Sequence, residues 1–163
     1  MMEALTWRKD LFDSNYQLYS NGEIKGSLIF SSWKFNARGI ALKNYYFTSE
    51  GLLNPITKIR DEHHNEVGVI TYNGWKFKAS IIFNNGQEPA SWTFTNSWLT
   101  QWAITNHHNK QIYYNSSNTT GSIHTDNSDE LLMLAGLFIR EYYSRGTILF
   151  ILAIVIPMIF RAC

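Results

Sequence analysis

Nine consecutive apolar residues near the carboxyl terminus constrain the fold more than any other feature. The run LLMLAGLFI, 131–139, follows TDNSDE, in which Asn127 or Ser128 can cap a helix and Asp129 and Glu130 suit its first turn. A helix that is apolar on every side must be enclosed, and nine helical residues span about 14 Å, roughly half of a hydrocarbon layer. We therefore predict a helix buried within protein. Its large side chains include Leu131, Leu132, Leu134, Leu137 and Phe138.

The chain before residue 126 has the pattern of short β-strands separated by turns. Asn21-Gly22 and Asn73-Gly74 each separate two alternating runs, which is a strong hairpin signal. Intervals between strands are mostly two to five residues, so successive strands are expected to pair antiparallel. A closed sheet of ten or more strands can enclose a helix. We predict a mainly β domain over residues 1–145, an antiparallel barrel of about 10–12 strands around a helix at about 128–143.

A second apolar segment follows this helix. TILFILAIVIPMIF, 147–160, carries no charge, and counting the preceding glycine it reaches about 22 Å as a helix, at the short limit for a membrane span. The aromatic pair Tyr142-Tyr143 and the flanking Arg145 and Arg161 resemble interfacial anchors. The pattern predicts that residues 146–163 form a second apolar helix that anchors the barrel to a membrane. The alternative is a buried helix or a contact between subunits.

Charge and cysteine content narrow the function classes. A net charge of +1 argues against a nucleic-acid partner. The single cysteine, Cys163, excludes an intramolecular disulfide and a cysteine-based zinc site. The first ten residues lack the apolar core of a secretory signal, and slightly more positive charge precedes the apolar tail than follows it. The barrel is therefore expected at the cytoplasmic side of a membrane.

A repeated pentapeptide supplies a candidate binding surface. WKFNA at 33–37 recurs as WKFKA at 75–79. If both are strands, their Trp, Phe and Ala side chains share the inner face and the basic side chains point outward. The outer face is then either simply solvated or able to meet phosphate. The candidate lipid-headgroup residues are Lys34, Arg38, Lys76 and Lys78.

Two histidine pairs provide a weak alternative metal site. They lie in DEHHNE at 61–66 and NHHN at 106–109, and imidazole with carboxylate suits zinc or nickel. Four strands separate the pairs, about 19 Å along the wall of a barrel. We therefore expect solvated turns, no metal and no cofactor. The histidines concerned are His63, His64, His107 and His108.

No pattern for catalysis is present in the sequence. Gly-x-Ser-x-Gly and a glycine-rich phosphate loop before a helix are both missing, so we expect no enzyme. Trp92, Trp98 and Trp102 could form a stacking platform for a sugar or base, but filling the core is the default expectation. Trp98 and Trp102 have the same parity in SWLTQWAI and are predicted to face one side.

The order of these elements resembles the tubby-like barrel superfamily, which includes tubby C-terminal domains, LURP-one-related proteins and phospholipid scramblases. The resemblance covers residues 4–143 and depends on WKFKASIIF, SWTFTNSWLTQWAI and the acidic-capped apolar helix SDELLMLAGLFI. It implies a roughly twelve-stranded barrel around a hydrophobic carboxyl-terminal helix. It also implies phosphoinositide-headgroup binding or lipid movement. The tubby headgroup residues and the scramblase cysteine cluster have no matching positions here.

Two functions follow from these patterns. The first is a non-enzymatic, membrane-associated barrel that binds lipid headgroups or a protein partner at the cytosolic membrane face. The second is a soluble small-ligand carrier or enzyme whose tail completes the core or an oligomer interface. The expected partner in the first case is membrane lipid or a membrane protein.

Overall fold

The structure is a computed structural model that describes residues 3–11, 14–32, 34–51, 54–106, 111–126 and 129–161; for Glu3 and 147–161 it describes the backbone only. Twelve strands and one helix follow each other along the chain. The strands are β1 (Glu3–Lys9), β2 (Tyr16–Ser20), β3 (Glu23–Phe30), β4 (Asn36–Ile40), β5 (Asn44–Glu50), β6 (Ile56–Arg60), β7 (Glu66–Asn73), β8 (Lys78–Phe83), β9 (Ala90–Phe94), β10 (Gln101–Thr105), β11 (Gln111–Ser117) and β12 (Thr120–Thr125); the helix is α1 (Glu130–Arg161).

The strands form a closed antiparallel barrel. Each strand pairs with its neighbours in sequence, and β1 pairs with β12 in the register Glu3↔Thr125 to Arg8↔Thr120. The predicted barrel around a hydrophobic helix is confirmed. Closure leaves no edge strand exposed in the barrel, which removes a common route to aggregation.

The predicted hairpin at Asn21-Gly22 has the backbone such a turn requires. Both residues have positive φ, 53° and 82°, as a tight turn between twisted strands demands. The predicted turn at Asn73-Gly74 is wider, because Asn73 pairs with Lys78 and the turn comprises residues 74–77. This difference moves several side chains of the second pentapeptide out of the sheet.

Strand direction gives the barrel two distinct ends. The helix begins after β12, so the connections after even-numbered strands lie at the end where the helix starts, the start end. The connections after odd-numbered strands lie where the helix leaves, the exit end. The exit end therefore includes the β1–β2, β7–β8 and β9–β10 connections.

Helix α1 fills the barrel. Its described side chains from Leu132 to Ile139 are all buried, and the side chains of Leu137 and Phe138 are fully enclosed. Phe138 stacks on Phe30 and Phe47, with ring centroids 5.5 and 4.8 Å apart. The barrel wall therefore encloses the helix, as a helix that is apolar on every side requires.

The helix start differs in detail from the prediction. Asp129 is the cap: its Oδ1 accepts a hydrogen bond from the backbone N–H of Leu132 at 3.1 Å. Glu130 Oε2 accepts one from the backbone N–H of Leu42 at 3.0 Å, which ties the helix start to the β4–β5 connection. The predicted caps, Asn127 and Ser128, lie outside the described residues.

Two helices were predicted, but the structure has one. α1 passes through Gly146 without interruption and comprises 32 residues, about 48 Å at 1.5 Å per residue. The longest strands have eight residues, at most about 26 Å even without tilt. The last part of the helix therefore extends past the exit end.

Candidate functional site

A buried polar network surrounds the helix where it reaches the exit end. Glu141 is 1% exposed, yet its Oε2 lies 2.7 Å from Lys9 Nζ and accepts a hydrogen bond from the Tyr16 hydroxyl at 2.8 Å. Its Oε1 accepts a hydrogen bond from Arg145 Nε at 3.1 Å. The carboxylate is thus compensated by two cations and a hydroxyl, which a buried charge requires.

Arg140 extends this network from Tyr16 to β10 and β11. Its guanidinium donates hydrogen bonds to Tyr16 Oη at 2.9 Å and to Ser116 Oγ at 3.2 Å. The same group lies over the rings of Trp7 and Trp102, 5.5 and 5.4 Å from their centroids. These contacts connect the helix to β1, β2, β10 and β11 by charge and by cation–π attraction.

Burial and neighbouring charges shift the pKa values of two groups in this network. Burial raises the pKa of the Glu141 carboxyl, but Lys9 and the Tyr16 and Ser14 hydroxyls outweigh burial and hold it below its usual range. Burial raises the pKa of the Tyr16 hydroxyl far above its usual value, although the charge of Arg140 opposes the shift. Near neutral pH the Glu141 carboxyl is therefore ionised and the Tyr16 hydroxyl is protonated, so the carboxylate pairs with cations and a hydroxyl where the helix reaches the exit end.

The two tyrosines expected to anchor in a membrane interface are part of the barrel instead. Tyr143 is 5% exposed, stacks on Trp92 at 5.3 Å between centroids and donates hydrogen bonds to the carbonyl oxygens of Asn73 and Lys78. Tyr142 stacks on Tyr72 at 3.9 Å. The prediction was wrong for Tyr143 because helical position places it towards β8 and β9.

Large apolar side chains are exposed at the exit end. Trp75 is 98% exposed, Trp98 86% and Leu11 80%. Each lies in a different connection, after β7, β9 and β1, and Phe77 and Leu99 accompany the two tryptophans at about two-fifths exposure. We call these five residues the exit rim. Exposed apolar patches often mark contact surfaces, so the exit rim is a candidate contact surface.

Local hydrogen bonds explain why Trp75 is exposed. The side chain and carbonyl of Asn73 both accept hydrogen bonds from the backbone N–H of Lys76, at 3.1 and 3.3 Å, and Phe77 has φ of 49°. These contacts form a turn in which Trp75 occupies the tip. The predicted inward-facing strand position was therefore wrong for Trp75, while Ala79 in β8 does face inward.

A similar turn separates Trp98 from Trp102. Asn96 Oδ1 accepts hydrogen bonds from the backbone N–H groups of Thr100 and Gln101, both at 3.1 Å, and Leu99 has φ of 57°. Strand β10 begins only at Gln101, so the parity argument does not apply across the turn. Trp102 and Trp92 are fully buried core residues, and Trp98 faces solvent.

The four candidate headgroup residues do not form one cluster. Lys34 lies in the β3–β4 connection and Lys76 in the β7–β8 connection, with Lys78 at the first position of β8, so these three are exposed at the exit end. Arg38 is on the barrel wall, where it donates to Asn44 Oδ1 at 3.4 Å. Trp33, the partner of Trp75 in the repeat, lies outside the described residues.

The start end has a different character. Its described connections and strand ends carry acidic side chains. Asp61 is held in a turn by the backbone N–H groups of His63 and Asn65, both at 2.9 Å. Leu42, in the β4–β5 connection, is an exposed apolar side chain at the start end, with 92% exposure. The other acidic residues at this end are Glu23, Glu62, Glu66, Glu88, Asp126, Asp129 and Glu130.

The weak alternative of a metal site receives no geometric support from the described part of the chain, where no three histidine, cysteine, aspartate or glutamate side chains are grouped to hold an ion. His63 and His64 are exposed in the β6–β7 connection. His107 and His108 lie outside the described residues.

The sequence indicated the helix exit but not the rim. Exposure of Trp75 and Trp98 could have been inferred from the Asn residues two positions before each tryptophan, a turn signal within an apparent strand. Over the residues with described side chains, no helical stretch combines the length and apolarity that a bilayer crossing needs. The comparisons with known proteins found no matching family model, no matching curated protein and no matching solved structure.

Proposed function

We propose that this protein is a non-enzymatic, tubby-like barrel held at the cytoplasmic face of a membrane by its carboxyl-terminal helix. The observation that carries the proposal is the unbroken course of α1 from the barrel core out through the exit end, where its sequence becomes the uncharged run 147–160. A helix leaving the barrel with an apolar sequence requires another apolar environment.

The structure of the barrel favours attachment over catalysis. Its interior is filled by the helix and by aromatic side chains, and its buried polar network supports the helix exit. Phosphate or lipid headgroups could contact the exposed lysines at the exit end, Lys34, Lys76 and Lys78, since these would face the bilayer in this arrangement.

Membrane fractionation tests the proposal. The full chain should sediment with membranes and resist extraction by alkaline carbonate, while a chain ending at residue 146 should remain soluble and keep a defined melting transition. If the truncated chain is instead unfolded or loses its defined melting transition, the tail completes the core or an oligomer, and the carrier or enzyme alternative is favoured.

A pair of substitutions tests the tail within the full chain. Ile151→Lys with Ile154→Lys places two charges in the apolar run, at roughly 2.5–3.5 kcal/mol each in a bilayer centre, and should abolish carbonate resistance. Ile151→Ala with Ile154→Ala is the matched control and should remain in the membrane fraction.

Labelling of the single cysteine tests on which side of the membrane the end of the tail lies relative to the barrel. Cys163 follows the tail, so a membrane-impermeant maleimide should label it only from the side opposite the barrel. Labelling of Cys163 in intact vesicles whose barrels face the reagent would contradict a membrane-spanning tail.

A further inference from the structure

We infer that the exit rim is a second membrane contact, a surface that seats the barrel directly on an anionic lipid interface rather than leaving it suspended from its helix. This inference rests on the proposed function, because the tail determines which end of the barrel meets the bilayer. It identifies anionic lipid as the partner of the rim residues, which are Leu11, Trp75, Phe77, Trp98 and Leu99.

The position of the rim is the first argument. The helix leaves through the same opening whose edge carries the rim residues, and Gly146, where the helix emerges, is exposed. A bilayer that receives 147–160 therefore lies immediately beyond the exit end. Only an extended linker between the barrel and the tail could keep the rim residues away from that bilayer. There is no such linker, because α1 is continuous from the barrel into the tail.

The distribution of rim residues is the second argument. They occupy the β1–β2, β7–β8 and β9–β10 connections, which lie on both sides of the short β11–β12 turn in the closed barrel. Three separated contacts around a central helix define a plane. A planar lipid surface can touch all three at once, whereas a groove for a peptide would place its apolar residues in a line.

The chemistry of the side chains is the third argument. Tryptophan is enriched where protein meets the membrane–water interface, because its ring is apolar and its indole N–H is polar. Trp75 and Trp98 are the two most exposed tryptophans among the described residues. Lysines near an anionic leaflet add electrostatic attraction, and Lys34 and Lys76 lie in connections at this end.

The charges at the two ends of the barrel also agree with this orientation. The start end carries a group of acidic side chains that an anionic surface would repel. At the exit end, Glu141 is buried against Lys9 and Glu50 is paired with Lys58 at 2.8 Å, while Asp10 is an exposed carboxylate. The charge difference favours the exit end towards lipid.

Fluorescent reporters on the full chain test whether the exit rim contacts lipid. In a Cys163→Ser background, Trp75→Cys and, separately, Ser97→Cys place a reporter at the exit end; Leu42→Cys and Asn85→Cys place one at the start end. Each is labelled with an environment-sensitive dye and reconstituted into phosphatidylcholine vesicles with or without phosphatidylserine. All four positions are exposed, so labelling removes no core contact.

The expected result is emission shifted to shorter wavelength, and quenching by brominated lipid, at the two exit-end positions but at neither start-end position. The shift should be larger with phosphatidylserine. With the Ser97→Cys reporter, Lys76→Ala should reduce the ratio of docked to undocked barrel about fivefold, from the contribution of one lysine near an anionic surface. Lys43→Ala, at the start end, should leave the ratio unchanged.

The outcomes separate the two proposals. If the protein stays bound to vesicles but the exit-end dyes report water, the contact between the exit rim and lipid is overturned and attachment through the helix stands. Protein that fails to remain with the vesicles would overturn both. Exit-end dyes shielded in native membranes but exposed to water in pure lipid would assign the rim to a membrane protein and overturn the lipid assignment.

Discussion

Lys9 Nζ lies 2.7 Å from Glu141 Oε2, although 132 residues separate them in the chain. This ion pair joins the first strand to the helix just before the helix leaves the barrel. The Glu141 carboxylate is almost inaccessible to water, and Lys9 retains about a fifth of its side-chain exposure. Removing one member of such a pair leaves the other poorly compensated, so the contact predicts a measurable cost.

Glu141→Gln should lower the free energy of unfolding by about 1.5–3 kcal/mol, because charged hydrogen bonds to Lys9 and Arg145 are lost. Urea unfolding followed by tryptophan fluorescence measures the change. Glu50→Gln is the control, since its pair with Lys58 is exposed and should contribute little. Equal effects of the two substitutions would contradict the role assigned to Glu141.

The same pair predicts an acid-dependent loss of stability. The folded pKa of Glu141 lies below its unfolded value, so its contribution is fully present above about pH 4.3 and is lost as pH falls through the folded pKa. Comparing wild type with Glu141→Gln should therefore show a difference at neutral pH that shrinks below pH 4.3. A difference that is constant down to low pH would count against the ion pair.

Gly136 lies where the helix closely approaches Tyr114 of β11. A Cβ there would overlap the Tyr114 phenol, whose hydroxyl donates to the carbonyl oxygens of Leu132 and Met133 at 3.1 and 3.2 Å. Gly136→Ala should destabilise the barrel by roughly 1–3 kcal/mol or more. Gly146→Ala meets no neighbour and should stabilise the helix by about 0.5–1 kcal/mol. Thermal melts of the two variants should move in opposite directions.

Two tryptophans four residues apart should respond very differently to substitution. Trp102 is fully buried and stacks on Tyr114 at 5.2 Å, so Trp102→Ala should cost roughly 3–5 kcal/mol. Trp98→Ala removes a side chain that is 86% exposed and should leave chemical unfolding of the barrel unchanged. A large loss of stability in Trp98→Ala would show that this side chain packs within the protein.

Leu134 provides a test of helix enclosure. It is 1% exposed, and its Cδ1 approaches Gly39 so closely that a Cβ there would lie 2.8 Å away. Leu134→Asp buries a carboxylate without a partner and should leave the chain unfolded or aggregated. Soluble expression with an unchanged circular dichroism spectrum would mean that the helix is not enclosed.

The barrel and its central helix could be predicted because local patterns carried the information. A helix apolar on all sides, from 131 to 139, required a container, and short strands with brief turns supplied one that closes on itself. The Asn21-Gly22 turn followed from residue types that tolerate positive φ. These features depend on residues close together in the sequence, which is why they could be predicted from it.

The exit rim and the polar network could not be predicted in this way. Parity arguments assume that a strand continues, and at Trp75 and Trp98 asparagine side chains end the strand and form turns. The role of Glu141 could not be predicted because its partners Lys9 and Tyr16 are more than a hundred residues away in the chain. Their contact depends on the distance from β1 and β2 to the helix in the folded barrel, and no local pattern encodes that distance.

Closure of β1 against β12 has a consequence for synthesis. The first strand can complete its hydrogen bonds only after Thr120–Thr125 has left the ribosome, and the core stays empty until the helix that follows has also emerged. Folding of the barrel must therefore await synthesis of β12 and the helix, with open strand edges exposed in the meantime. Such a nascent chain would benefit from a chaperone that holds it until the helix has emerged.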